Sequence, residues 1–442
     1  MGVDHRKAAV FGGALALRLL LSVLFPSLPD LLTGRVEVST PVTSFKRLQE
    51  GLFLYMRNVS PYDGGVFHQS SGTATSSPIF PPTERAIPSS SYCVILFDDR
   101  PGERKCSGYD LGFWTGGIGE ILFGIAKAYQ MGWSVDCGMV NGGYQYFVFL
   151  GADLVRFLFN PFTIATCLGR STGVFTTTGI LYAFSSAVTG NSLNAMLSLG
   201  LASYLSIYPA LLFIPLVLLC YDQRVQKTKV SSGTLPFVLQ HFAVFLTCIL
   251  GLLGISTLLI GDFYTFISAT YGFQLLVPDL TPNVGLWWYF FIEIFDSFRE
   301  FFLGVFWLHL AAYMGGLTVR LRRQPLFVLT SLLGIFAIFK PYPSISDASL
   351  YFALLPLYRH LFPLMRYTFF AISALLYATL LGPAFYHLWI YAGSGNANFF
   401  YAITLVWSLG LSILLADTIF AALRDEWEHD NPELRGKEVR QV

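Results

Sequence analysis

Apolar runs of about bilayer length recur along this chain from residue 8 to residue 421. They fall at 8–26, 111–131, 143–159, 172–189, 193–219, 236–260, 285–317, 325–339, 349–365, 367–388 and 399–421. A spanning helix needs about 20 mainly apolar residues, so these runs predict about ten to twelve spans. Run 193–219 admits a break into two short helices at Pro209, and 285–317 is too long for one helix. Lipid offers a bare backbone no hydrogen-bond partner, so each span has to be helical. The expected fold class is all-α, a polytopic transmembrane helical bundle. Composition agrees: 54% of the 442 residues are hydrophobic and 12% are charged, against about 25% charged in ordinary soluble domains. A net charge of +1 gives no reason to expect nucleic acid as a partner.

Run 8–26 resembles a secretory signal in length. It ends on Phe25, Pro26 and Leu28 without a small-x-small cleavage site, so it reads as a first transmembrane helix. The expected organisation is a membrane domain over 1–425 and a cytosolic tail over 426–442. Stretch 69–110, rich in Ser, Pro and charge without a period, reads as poorly ordered. The six cysteines are scattered without a C-x-x-C, which argues against a metal site and leaves room for one disulfide, between Cys93 and Cys106.

Basic residues orient the stack. Arg224, Lys227 and Lys229 mark one cytoplasmic loop, and Arg320, Arg322 and Arg323 mark another. Arg424, Arg435, Lys437 and Arg440 mark the tail. The opposite face then holds 27–68, 277–283, 341–347 and the turn at 391–398. These are the elaborate, Pro-bearing loops, so function is expected on that face.

Residues 387–404, HLWIYAGSGNANFFYAIT, carry the clearest local signal. Gly393, Ser394, Gly395, Asn396 and Asn398 cannot sustain a strong helix. Trp389, Tyr391 and Tyr401 around them suit a membrane–water boundary. The turn offers amide side chains and bare backbone to a polar ligand or a partner chain; an ordinary interfacial turn is the alternative. In the first exposed loop, Val42, Phe45, Leu48 and Leu52 recur at helical spacing, which predicts a short amphipathic helix. Asn58-Val59-Ser60 is an N-glycosylation pattern.

Ionisable residues inside apolar runs are functional or paired. Asp153–Arg156 and Asp296–Arg299, three apart, read as self-neutralising pairs. Glu293 has no basic residue three or four away and is the candidate for an intermembrane contact or a lipid head-group contact. No G-x-S-x-G, H-E-x-x-H or P-loop occurs.

Several blocks together resemble the PIG-U family. They are RVEVSTPVTSFKRLQEG (35–51), VSPYDGGVFH (59–68), FNPFTIATCLGRST (159–172), SIYPALLFIP (206–215), YGFQLLVPDLTPNVGLWWYFFIEIF (271–295), FKPYPSISDASLY (339–351) and HLWIYAGSGNANFFYAITL (387–405). The resemblance covers roughly 1–68 and 140–425. It implies a multi-spanning subunit of the endoplasmic-reticulum GPI transamidase with a glycosyltransferase-C-like architecture. That complex cleaves a C-terminal signal and joins the new carboxyl end to the ethanolamine of a GPI glycolipid. The cysteine-protease chemistry is expected in another subunit, so no catalytic residue, cofactor or metal is expected here. Partners are then the other transamidase subunits, the GPI glycolipid and the membrane. Residues expected to meet the glycolipid or a partner are Asp279, Asn283, Glu293, Tyr391, Ser394, Asn396 and Asn398.

Related glycosyltransferases need a carboxylate at the end of the first span, and this chain has Thr40, Pro41, Val42 and Thr43 there, flanked by Glu37 and Asp63. An active mannosyltransferase of the GPI pathway is the alternative function. A secondary transporter is a further class, but the paired inverted repeats it requires are not seen. Stretch 69–140 departs from the family, as a misread gene structure or as genuine divergence.

Overall fold

The computed structural model describes residues 5–70, 157–228 and 233–434. The expected spans at 111–131 and most of 143–159, the Asp153–Arg156 pair and the Cys93–Cys106 pair lie outside the described residues. Gln69 and Ser70, the first residues of the atypical stretch, are buried, and Gln69 Nε2 donates to the Ser44 carbonyl at 2.7 Å.

The described residues form a helical bundle without strands. α1 (His5–Leu24), α2 (Leu28–Thr33) and α3 (Phe45–Met56) are followed, after the gap, by α4 (Pro161–Leu168). Next come α5 (Gly173–Val188), α6 (Ser192–Leu205), α7 (Phe213–Thr228) and α8 (Thr234–Ile260). α9 (Phe263–Ile267) runs through a π-turn at Ser268–Gly272 into α10 (Phe273–Leu276). α11 (Trp287–Glu293), α12 (Arg299–Arg320), α13 (Pro325–Phe339), α14 (Ile345–Leu354), α15 (Thr368–Ile390) and α16 (Ala397–Asp430) complete the order.

Both expected interruptions appear. Run 193–219 breaks at Ser206–Ile207, and Pro209 sits in the first turn of the 3₁₀ segment Tyr208–Leu212. Run 285–317 breaks at Ile294–Phe295 between α11 and α12. The amphipathic helix of the first loop is α3, which buries Phe45 and Leu48, while Val42 lies before its start. α16 runs to Asp430, beyond the expected domain edge at 425.

α13 is the centre of the bundle. All its residues from Pro325 to Ile338 are buried. α7, α12, α14 and α16 pack around it. A helix apolar on every side has to be enclosed by protein or lipid, and this one is enclosed by protein. At 15 residues it reaches about 22 Å, short of the roughly 30 Å hydrocarbon layer. By contrast, α8, α12 and α15 leave most of their apolar surface uncovered, with Leu258 at 87%, Val319 at 81% and Phe369 at 76% exposure. Five helices among the described residues are long and apolar enough to cross a membrane. Exposed apolar surface of this extent suits lipid or partner helices.

Two charges inside the bundle are met by backbone groups. Arg18, 2% exposed, donates to the Ala14 and Leu158 carbonyls at 2.8 Å each. Asp417, 3% exposed on α16, accepts from the Arg366 and Tyr367 backbone amides at 2.9 and 2.8 Å. It thereby caps the start of α15 from a neighbouring helix, where unsatisfied amides and the helix dipole favour an anion. The expected Asp296–Arg299 pair is not formed. Arg299 donates to the Val277 carbonyl at 2.7 Å and lies over the Phe291 ring at 5.1 Å. The chain leaves the 3₁₀ turn Asp296–Phe298 just there, so three-residue spacing no longer places the two side chains on one helical face.

Candidate functional site

The first loop, the 277–286 segment and the turn between α15 and α16, which basic-residue placement assigns to the non-cytoplasmic face, form the candidate site. α11 joins the last two. Its Trp287 turns inward, donating Nε1–H to the Phe339 carbonyl at 2.8 Å and lying 4.6 Å from the Phe306 ring. Its Trp288 faces the other way, stacked on Trp389 at 6.2 Å and edge-on to Tyr401 at 5.8 Å. Adjacent tryptophans on a short helix thus clamp it between the bundle and the α15–α16 hairpin.

The turn itself spans 391–396. Gly393 adopts φ +64°, a left-handed conformation that glycine takes at little steric cost. The Ser394 and Gly395 amides both donate to the Leu388 carbonyl at 3.0 Å, closing the end of α15. Asn396 caps α16: its Oδ1 accepts from the Phe399 amide at 3.2 Å. Asn398 lies one residue inside α16, so the non-helical notch is narrower than the composition suggested. Asn396, a good cap, starts the helix early and leaves Asn398 in its first turn. Tyr391 and Ser394 are exposed, and Tyr391 stacks on His387 at 5.4 Å.

The Tyr289 hydroxyl donates to Asn398 Oδ1. Glu293 ends α11 and is exposed. The structure therefore ties Asn398 to Tyr289, which sequence reasoning missed, and places Glu293 one turn from Tyr289 on α11. The local sign was the four-residue spacing of Tyr289 and Glu293, which puts them on one helical face.

Asp279 and Asn283 both bond within the protein. Asp279 pairs with Arg47 of α3 at 2.8 Å, accepts from the Thr281 amide at 2.9 Å, and its carbonyl accepts from the Tyr342 hydroxyl at 2.8 Å. Asn283, 1% exposed, accepts from the Gly285 amide at 2.7 Å and donates to the Thr281 carbonyl at 3.2 Å. A Cβ on Gly285 would sit 2.6 Å from Pro343. These residues fold the 277–286 segment onto α3 and the 341–344 turn, and their polar atoms are used there.

Burial alone would raise the Asp279 carboxyl, but the Thr281 hydroxyl and amide and the Arg47 guanidinium outweigh it and hold it below the usual carboxylate range. A depressed carboxyl stabilises the fold fully above its unfolded value near pH 3.9, and that contribution fades as pH falls through the native value. Asp279→Asn is expected to lower stability by about 1 kcal/mol at pH 7, a modest effect because the pair is partly solvated. Melting of the purified protein from pH 7 downward checks this: wild type and variant should converge below about pH 4.

In the first loop, Arg35 and Glu37 form a forked pair at 3.0 and 2.7 Å, and the Arg35 guanidinium lies 5.3 Å from the Tyr386 ring. The Thr40 and Thr43 hydroxyls bond each other at 2.8 Å, in the place where a catalytic carboxylate was considered. An apolar cavity of about 180 Å³ lies where the α15–α16 hairpin meets the first loop and α4, walled by Ala378, Gly382, Pro383, Ile403 and Trp407 on one side and by Val38, Phe162 and the Arg35–Glu37 pair on the other. Tyr386 connects it to the turn, with its ring 5.2 Å from Phe400 and 6.2 Å from Tyr391.

Crossing-length helices and uncovered apolar faces make this a multi-pass membrane protein. A family model described as GPI transamidase subunit PIG-U matches residues 12–76 and 152–407. The GPI transamidase component GAB1 of Saccharomyces cerevisiae is 34% identical, covering 98% of this chain and 99% of its own length. The GPI-anchor transamidase component PIGU of Homo sapiens is 33% identical over 91% of this chain and 90% of its own. The GAB1 homolog of Schizosaccharomyces pombe is 31% identical over 93% of each. The chain belongs to the PIG-U family of GPI transamidase subunits. The family model leaves 77–151 unmatched, which falls largely within the stretch singled out as atypical.

Proposed function

We infer that this subunit of the GPI transamidase complex is non-catalytic, resides in the endoplasmic-reticulum membrane, and holds the GPI glycolipid while the protein is attached. The carrying observation is the exposed break at 391–396, with the Asn398 amide held beside it by Tyr289, the exposed Glu293 one turn from Tyr289 on α11, and an apolar cavity farther along α15 and α16, where that hairpin meets the first loop. A glycolipid needs both surfaces. Its glycan and phosphates take hydrogen bonds at the rim, and its hydrocarbon takes the cavity. Irregular backbone is tolerated near membrane depth where it lines a cavity or lies against protein.

In this reading Tyr391, Ser394, Asn398 and Glu293 face the head group. Asn396 fixes the helix start, and Asp279 and Asn283 keep the neighbouring loop in place. The first loop favours holding over reacting. Glu37 is engaged by Arg35 in a forked pair, and a general base has to be free to reach the proton it removes. Cysteine-protease chemistry then resides in another subunit of the complex. Residues 1–425 act as the membrane body, with 426–442 on the cytosolic side.

Filling the notch tests the reading. Ser394→Trp, expressed in cells lacking the native subunit, should lower surface display of a GPI-anchored reporter about tenfold, the cost of roughly 1.4 kcal/mol in binding. The complex should still assemble, because Ser394 is exposed. Wild-type display by this variant contradicts the proposal.

A further inference from the structure

We propose that a second cavity, at the foot of the first loop and apart from the α15–α16 notch, binds a phosphoryl group. It encloses about 70 Å³, room for several waters, and its walls include Thr43, Gln69, Gly173, Tyr208, Lys340 and Asp347.

The first turn of α5 opens onto it. This 16-residue helix has no side-chain cap at Thr172. The Thr172 amide is spent on the Thr43 carbonyl at 3.0 Å, and the Gly173 and Val174 amides meet no acceptor among the described residues. An uncapped helix start carries about half a positive charge and suits an anion. α14 also begins at this cavity, but Ser344 and Asp347 close it with a capping box, so it offers nothing further.

Lys340 brings a full charge. One of its three donors goes to Asp347 Oδ1 at 2.6 Å, and the Asp347 carboxylate also accepts from the Ser344 amide at 2.8 Å and hydroxyl at 3.2 Å. The ion pair is neutral overall, so the helix start supplies the excess positive potential. The Asp347 carboxylate repels an anion, and its pairing with the Lys340 ammonium offsets that repulsion.

A side chain points independently to a ligand. Tyr208 lines the cavity, is 5% exposed, and its hydroxyl has no hydrogen-bond partner among the described residues. A buried hydroxyl left unpaired costs about 1–3 kcal/mol, and a phosphoryl oxygen would satisfy it. Gln69 Oε1, also buried in the wall, lacks a donor among the described residues and would accept from a hydroxyl on the phosphoryl or its alcohol. The site does not depend on the glycolipid reading of the notch.

The phosphoryl belongs to a lipid head group or to free phosphate, and two probes separate them: inorganic phosphate and dihexanoyl phosphatidic acid, each titrated onto the purified full chain in its complex. Tyr208→Phe decides whether binding uses this cavity. The ring keeps its stack on Trp307 at 5.8 Å and its contact with Phe336 at 6.2 Å, so the variant should fold. It should bind at least tenfold more weakly, the scale of a lost charge-assisted hydrogen bond, while melting without probe stays level or rises. Lys340→Met should weaken binding further. Binding of phosphatidic acid alone assigns a lipid head group, and binding of both probes assigns free phosphate as sufficient. Binding of neither, or equal affinity in Tyr208→Phe and wild type, overturns the proposal.

Discussion

Asn398→Lys should reduce GPI anchoring by tenfold or more while leaving most of the complex assembled. Asn398 Oδ1 accepts the Tyr289 hydroxyl. Lysine has no acceptor, so the tie between α11 and α16 is lost. The ammonium also lands in the first turn of α16, where the helix dipole already presents positive charge, at a cost of about 0.3–1 kcal/mol. With the lost hydrogen bond, near 1 kcal/mol, the total is about 2 kcal/mol, small against the aromatic clamp of Trp288, Trp389 and Tyr401. The fold survives this; the rim does not keep its arrangement. Lysine would also draw Glu293 into an ion pair and so remove the carboxylate from the ligand. The measurement is surface display of a GPI-anchored reporter in cells lacking the native subunit, with recovery of the tagged complex as control. Full display at normal complex levels would contradict the account.

The largest effect on stability is expected from Asp417→Ala. Its carboxylate, 3% exposed, receives the Arg366 and Tyr367 amides. Hydrogen bonds to a charged group are worth about 1.5–3 kcal/mol each, and an unsatisfied buried amide costs about 1–3 kcal/mol. Truncation therefore removes about 3 kcal/mol or more, and the start of α15 should fray. Asp417→Asn keeps one acceptor and should retain part of this. Thermal melting of purified protein and the yield of assembled complex check the order: wild type, then Asn, then Ala.

These residues mark how far the sequence could be read. The helix break at 391–396 was legible because its cause is local: Gly393 takes a left-handed φ and Asn396 is a strong cap. The breaks near Pro209 and within 285–317 were legible from ring geometry and length. Asp417 was not noticed, because its partners are backbone amides 50 and 51 residues away, which leave no mark in composition. The Arg47–Asp279 pair spans 232 residues and appears only when α3 docks on the 277–286 segment. Asp279 and Asn283 were grouped with the ligand residues because loop polarity alone does not say whether a side chain faces outward or holds its own loop. The Asp296–Arg299 pairing failed because helical spacing was applied across a point where the helix stops.

In the proposed reading, the turn between α15 and α16 and the apolar cavity farther along that hairpin hold the glycolipid. The most direct test is mass spectrometry of lipid retained by the affinity-purified complex, with wild type and Ser394→Trp compared at equal protein. The account predicts GPI glycolipid with the wild type and about a tenfold loss with the variant at unchanged subunit content. Equal retention by both would contradict it.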